Sequence, residues 1–249
     1  MQPTPFTLSV HVGRAFLAIA VFSALMTYSS GAEAQIVVQE VVRYIKPKQR
    51  PVENILVKNV DATRAFTITS EIVKEENSGT DARTQEPSKD MVVAPPSFTI
   101  KPGETILTRL VLTKPADKDI ERIYRVRFKP ETLKADDTPT EVSGVKTQIS
   151  FVTTTGMLVL VSPQNPQPKL TYTRNGEGIT FKNEGNVTID LRRFDNYCFD
   201  EAQTDCMDLP GYRLYPGNDW RVEIPGDKQV RYNYAVYDDF QSIVVDAAQ

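Results

Sequence analysis

Residues Val145–Pro163 read VKTQISFVTTTGMLVLVSP, an extended pattern far longer than a usual strand of five or six residues. In the first half Val145, Thr147, Ile149, Phe151 and Thr153 share one face, with Lys146, Gln148 and Ser150 on the other. Such period-two alternation is the mark of a half-buried β-strand. The second half, Met157–Val161, is apolar on both faces, as a fully buried strand would be. The expectation is that the second half completes a core while the first offers an apolar row along an edge.

The same alternation recurs outward from this stretch. Ile55 and Val57, Phe66 and Ile68, and Ile106, Thr108, Leu110 and Leu112 each mark one strand face. Tyr124, Val126 and Phe128 alternate with Arg125 and Arg127. No window of a dozen residues carries a helical stripe, so the chain reads as all-β. Turn chemistry separates the strands: Lys101-Pro102-Gly103-Glu104, a hairpin tip at Asn175-Gly176-Glu177-Gly178, and another at Tyr215-Pro216-Gly217-Asn218. Residues Glu75–Asp90 hold seven charges and no Val, Ile, Leu, Met or aromatic residue, which predicts a mobile surface loop. A second polar loop is expected over Lys134–Gly144.

Three prolines within Ser162–Pro168 exclude a central strand and predict a stiff linker. The segments on either side are each near the size of one immunoglobulin-like sandwich. The expected architecture is two such domains at an angle, residues 35–162 and 163–249, joined by the Pro-rich linker. Residues 1–34 read as a secretory signal peptide. Arg14 precedes an apolar run from Ala15 to Met26, too short to span a bilayer, and Ala32-Glu33-Ala34 is a small-x-small cleavage site. The mature chain would then be exported, with no membrane span.

The single histidine of the 249 residues, His11, falls in that segment. The mature chain thus has no Ser-His-Asp triad, no Cys-His pair and no imidazole metal site. No GxSxG, Walker or GxGxxG motif is present. The acidic pairs Asp136-Asp137 and Asp238-Asp239 lie in polar contexts that do not tune carboxylates for glycoside hydrolysis. These features argue against an enzyme, and no cofactor or metal is expected. A formal charge of −3 gives no basic surplus for nucleic acid. Cys198 and Cys206, with seven residues between them, most simply form one local disulfide in an exported chain. Asn186-Val187-Thr188 matches the glycosylation sequon, a short pattern of little weight.

Three further stretches carry a resemblance. Met91–Leu110, MVVAPPSFTIKPGETILTRL, resembles the signature of periplasmic pilus-assembly chaperones, the PapD-like superfamily, with its Pro-Pro, Pro-Gly turn and following strand. Asp119–Phe128 is similar to the family's acidic-Arg-aromatic strand, and Asn183–Ile189 resembles the opening of its second domain. Gly156–Pro163 and the cysteine pair look most like the alternate-chaperone branch of the common-pilus type. The resemblance implies a periplasmic protein that binds pilin or fimbrial subunits by donor-strand complementation, without ATP, and delivers them to an outer-membrane usher. The donor row maps to Thr147, Ile149, Phe151 and Thr153. The arginine that anchors a subunit carboxylate in the interdomain cleft maps to Arg43, a role suited to a bidentate guanidinium. Two cations that the resemblance implies are missing: the cleft lysine maps to Leu158 and the arginine before the linker to Ser162, so either another base such as Lys46 or Lys169 substitutes or subunits are held mainly through the strand. The alternative is an exported structural pilus subunit or adhesin of β-sandwich fold.

Overall fold

The computed structural model describes residues 35–46, 51–132, 153–176 and 178–248. The first sandwich contains β1 (Ile36–Val38), β2 (Val42–Ile45), β3 (Val52–Asn59), β4 (Phe66–Glu76) and β5 (Thr84–Pro87). It continues through β6 (Met91–Ala94), β7 (Ser97–Ile100), β8 (Thr105–Leu112), β9 (Arg122–Thr132) and β10 (Thr155–Val161). One sheet has the order β1-β3-β8-β6 and the other β2-β10-β9-β4-β5. The long β4 carries β7 on its first half and β5 on its second. The first two strands divide between the sheets: β1 is antiparallel to β3, whereas β2 runs parallel to β10.

The alternating residues of the sequence supply the core between these sheets. Ile55, Val57, Phe66, Ile68, Leu110, Tyr124, Val126 and Phe128 are all buried in one cluster. Each such aliphatic or phenyl group withdrawn from water contributes ~1.5–3 kcal/mol. Tyr124 meets the cost of burying its hydroxyl by donating to Asp90 Oδ2 at 2.7 Å. At Lys101–Glu104 the Glu104 amide donates to the Lys101 carbonyl at 3.1 Å, and Gly103 takes the left-handed φ of +70° that its turn requires.

The second sandwich contains β11 (Leu170–Asn175), β12 (Gly178–Asn183), β13 (Ile189–Leu191), β14 (Phe194–Cys198) and β15 (Cys206–Leu209). It ends with β16 (Tyr212–Leu214), β17 (Asp219–Glu223), β18 (Val230–Val236) and β19 (Asp239–Val245). Its sheets are β11-β12-β17 and β16-β13-β18-β19, with β14 and β15 a separate hairpin. Ile179, Phe181, Leu191, Leu214, Val222, Val230 and Tyr232 fill the core. The hairpin is stapled by the Cys198–Cys206 disulfide, which joins directly opposed residues. The chain between β10 and β11 contains no strand. Gln164 and Asn165 donate backbone amides to the carbonyls of Asp117 and Lys118 at 2.8 and 3.0 Å.

Two sequence expectations need correction. Glu75–Asp90 is no mobile loop: β4 runs on to Glu76, turns, and pairs with β5 in the register Glu75↔Gln85. The element is held by polar groups instead of apolar ones, and so a hydropathy reading misses it. Tyr215–Asn218 closes a turn, with the Asn218 amide donating to the Tyr215 carbonyl at 3.1 Å, but it is no hairpin tip. It carries the chain from β16 in one sheet to β17 in the other. The expected loop at Lys134–Gly144 lies outside the described residues.

Candidate functional site

β10 is sealed on both faces, and a different domain covers each. Met157, Val159 and Val161 enter the core of the first sandwich. Leu158 and Leu160, on the opposite face, pack with Ile123 and with Tyr215 of the second sandwich, flanked by Val42 and Tyr44. A run that is apolar at every position is what a strand lying between two hydrophobic surfaces needs.

Upstream the surroundings change. β9 pairs with β10 from Thr155 onward, but β2 pairs with it only from Leu158, whose amide donates to the Val41 carbonyl at 2.8 Å. Thr155 Oγ1 donates to the Ile36 carbonyl at 2.5 Å. Thr153 is exposed and lies just before the strand. Thr147, Ile149 and Phe151 lie outside the described residues.

Arg43 sits in β2 opposite Val159. Its guanidinium lies 3.1 Å from Glu40 and 3.7 Å from Glu53, and donates to the Asn54 carbonyl at 3.4 Å. These partners all belong to the first sandwich. Strand alternation turns its neighbours Val42 and Tyr44 toward the second domain instead.

Polar contacts complete the seam between the domains. The Tyr44 hydroxyl donates to Asp190, which Arg213 also holds through Nε at 2.7 Å. Burial first, then the bond to Asp190, pushes the Tyr44 phenol above its ordinary range. Glu121, at the foot of β9, accepts the Thr188 amide at 2.9 Å and the Thr188 hydroxyl, both on Oε2. Its Oε1 is buried without a partner among the described residues. Burial raises the Glu121 carboxyl to about 7 against the opposing pull of the Thr188 bonds, with Asp190 adding to the rise and Arg213 resisting it.

The position before the linker proline, Ser162, is fully buried, and its hydroxyl meets that of Tyr237. Tyr237 packs edge-on against Tyr44 at 5.6 Å between centroids. A hydroxyl pair and an aromatic contact thus occupy the position before the linker. Leu158, 4% exposed, is buried in the hydrocarbon cluster between the domains. Of the candidate substitutes, Lys46 pairs with Asp238 at 2.8 Å and Lys169 with Glu184 at 2.9 Å. Sequence reasoning missed Glu121, Thr188, Tyr215 and the Tyr44–Asp190 bond. The signal available was the apolar character of both β10 faces, which demands a second covering surface.

Comparison with known proteins places this arrangement. A family model described as the pili and flagellar-assembly chaperone, PapD N-terminal domain, matches residues 36–167. The Class 5 fimbriae chaperone CfaA is similar in structure, with a TM-score of 0.57 and 18% identity over 86% of this chain and 99% of that one. A chain in the structure of the Salmonella enterica SafA pilin in complex with the SafB chaperone gives 0.57 and 13%, over 87% and 99%. The CsuC–CsuE chaperone–tip adhesion subunit pre-assembly complex, from archaic chaperone-usher Csu pili of Acinetobacter baumannii, gives 0.54 and 10%, over 87% and 100%. At these identities the structural likeness speaks to the two-domain β-sandwich fold. No curated protein matches the chain by sequence.

Proposed function

The chain belongs to the family of pili and flagellar-assembly chaperones, and we propose that it acts in the periplasm on fimbrial subunits by donor-strand complementation. The observation that carries this reading is the pairing of β10. Its downstream half is fixed between two domains, whereas its β2 neighbour stops at Leu158. A strand edge with no ladder partner upstream of Leu158 among the described residues can add to an incomplete sheet of another chain. Carried upstream at period two, Thr147, Ile149, Phe151 and Thr153 share the parity of Met157, Val159 and Val161. Ile149 and Phe151 supply most of the hydrophobic contribution, at ~1.5–3 kcal/mol for each side chain fully buried in a subunit.

Residues 1–34 direct export in this reading, residues 35–162 carry the donor strand, residues 163–249 form the second wall of the cleft, and the outer-membrane usher receives the loaded complex. No step requires a cofactor or bond-making chemistry. Arg43 serves as a subunit contact by exchanging its intramolecular carboxylates for one on the incoming chain.

The test is co-expression with co-exported pilin subunits followed by affinity recovery from the periplasm. Ile149→Asp and Phe151→Asp should abolish recovery of the complex while leaving the circular dichroism and melting temperature of the protein unchanged. Undiminished recovery by both variants would sink the donor-row assignment. Finding the chain built into purified fibres would favour the structural-subunit alternative.

A further inference from the structure

The β4–β5 hairpin reaches across to the second domain. Asn218 Nδ2 donates to the Ser78 carbonyl at 2.7 Å. Gly79, in the left-handed region at φ +77°, lies so close to the Tyr215 ring that a Cβ there would stand 2.8 Å from Cδ2 and 2.6 Å from Asn218 Nδ2. Any residue larger than glycine must push aside the Tyr215 ring and the Asn218 amide, and so loosen the contact between hairpin and second domain. Tyr215 in turn packs with Leu158, Leu160 and Ile123, so the hairpin tip and the β10 cluster meet at the same residue.

The hairpin is stiff enough to transmit this contact. At its base the Glu75 carboxylate is buried and accepts bonds from Arg125 at 2.6 Å, Gln85 at 2.8 Å and Ser78 at 2.9 Å. Burial opposes ionisation of Glu75, but these three donors outweigh it and hold the carboxyl below its ordinary range. The receiving turn is equally fixed: the Asn183 amide donates to the Asn218 carbonyl at 3.0 Å, and the Gly217 amide to the Asn183 carbonyl at 2.9 Å.

We propose that the β4–β5 hairpin is a strut that sets the orientation of the second domain relative to β10, with Ser78, Gly79 and Asn218 as its positioning residues. Two domains joined by a linker move relative to each other unless an interface stops them. Here Ser162 places no cation at the linker, and the hairpin adds a contact far from the linker to those made by Glu121–Thr188, Tyr44–Asp190, Ser162–Tyr237, Lys46–Asp238 and Asn186–Asp119.

The orientation is read on the free full chain by residual dipolar couplings, fitted separately for each domain. The unaltered protein should give one shared alignment tensor. Gly79→Leu should give two, with the tensor of one domain at least twofold smaller. Gly103→Leu is the control, because Gly103 has nearly the same φ, +70°, but a Cβ there would meet nothing within 4 Å. It should carry the same backbone strain and keep one tensor. A shared tensor of unchanged orientation in Gly79→Leu would overturn the strut. If Gly79→Leu does not fold, Asn218→Ala decides, since it removes the Ser78 bond without backbone strain. Unchanged alignment in that variant would likewise overturn the proposal.

The consequence for subunit capture rests on the proposed function and is measured apart from orientation. Gly79→Leu should weaken capture at least tenfold although Ile149 and Phe151 are intact. Normal capture by a reoriented variant overturns this link, whereas absence of capture by the unaltered protein overturns the function and leaves the strut standing.

Discussion

The backbone amide of Thr188, in the second sandwich, donates to the carboxylate of Glu121, in the first, across 2.9 Å. Glu121 is 8% exposed, and the groups facing it are the Thr188 hydroxyl, Asp190, Arg213 and Tyr237. Among the described residues no cation pairs with it directly. Its carboxyl, raised by burial from the ordinary 4.5 to about 7, is neutral in the folded protein under mildly acidic conditions. A carboxyl raised on folding contributes stability that is complete below its unfolded value and is lost as pH rises through the folded value. Stability should therefore fall as pH climbs from 4.5 to about 7. The loss reaches at most about 3 kcal/mol, at roughly 1.36 kcal/mol for each pH unit between the unfolded and folded values. Glu121→Gln retains an acceptor for Thr188 and should flatten this fall in urea unfolding at about pH 5 and about pH 8. Parallel profiles for the two proteins would refute the assignment.

Leu158 tests how tightly the seam is closed. Leu158→Ala should cost about 2–5 kcal/mol, because the cavity opens in a cluster drawn from both domains. Leu158→Lys should cost more, since the ammonium would enter a hydrocarbon cluster. Thermal unfolding orders the two variants. A Lys variant as stable as the original protein would mean that this position opens to solvent.

Arg43 is a case of competing carboxylates. The Arg43–Glu40 pair is half exposed and contributes ~0–1 kcal/mol, so Arg43→Ala should scarcely change the melting temperature. Capture of a subunit should nevertheless weaken. Glu40→Gln should tighten capture by releasing part of the guanidinium for the incoming carboxylate. Binding curves that leave both variants level with the unaltered protein would remove Arg43 from the contact set.

The disulfide closes a short loop, Cys198 to Cys206, eight residues apart. By loop length its loss should cost about 2–3 kcal/mol. Neither sulfur belongs to the core, which is built around Phe181 and Tyr232. Cys198→Ala/Cys206→Ala should therefore keep the sandwich folded, with a lower melting temperature and a near-ultraviolet spectrum altered mainly for Tyr197 and Phe199.

The strands were legible wherever burial is one-sided. Tyr124, Val126 and Phe128 alternate with Arg125 and Arg127, and the sheet they form is the one that pattern predicts. The β4–β5 hairpin was not legible, because the anchor of Glu75 is Arg125, fifty residues away, and a long-range ion pair leaves no local period. The interdomain seam was half legible. Apolar residues on both sides of Met157–Val161 announce a second covering surface, but nothing local says that Tyr215 provides it. Arg43 illustrates the limit of motif transfer: its position on β2 follows from the pattern, whereas its engagement by Glu53 depends on a neighbouring strand. The proposed donor row reads as an alternation in the sequence, and its members Thr147, Ile149 and Phe151 lie outside the described residues.

The sequon at Asn186 has a practical consequence for production. Both donors of its side-chain amide are engaged, with the carbonyls of Asp119 at 2.9 Å and Asn165 at 3.0 Å, and its oxygen accepts the Gln167 amide at 2.6 Å. A glycan attached to that nitrogen would consume one donor and place a sugar where the linker crosses between the sandwiches. Eukaryotic secretory hosts attach glycans as the chain emerges, before these bonds can form. Material made in such hosts should carry two intact sandwiches that fail to dock, so a bacterial host is the sound choice.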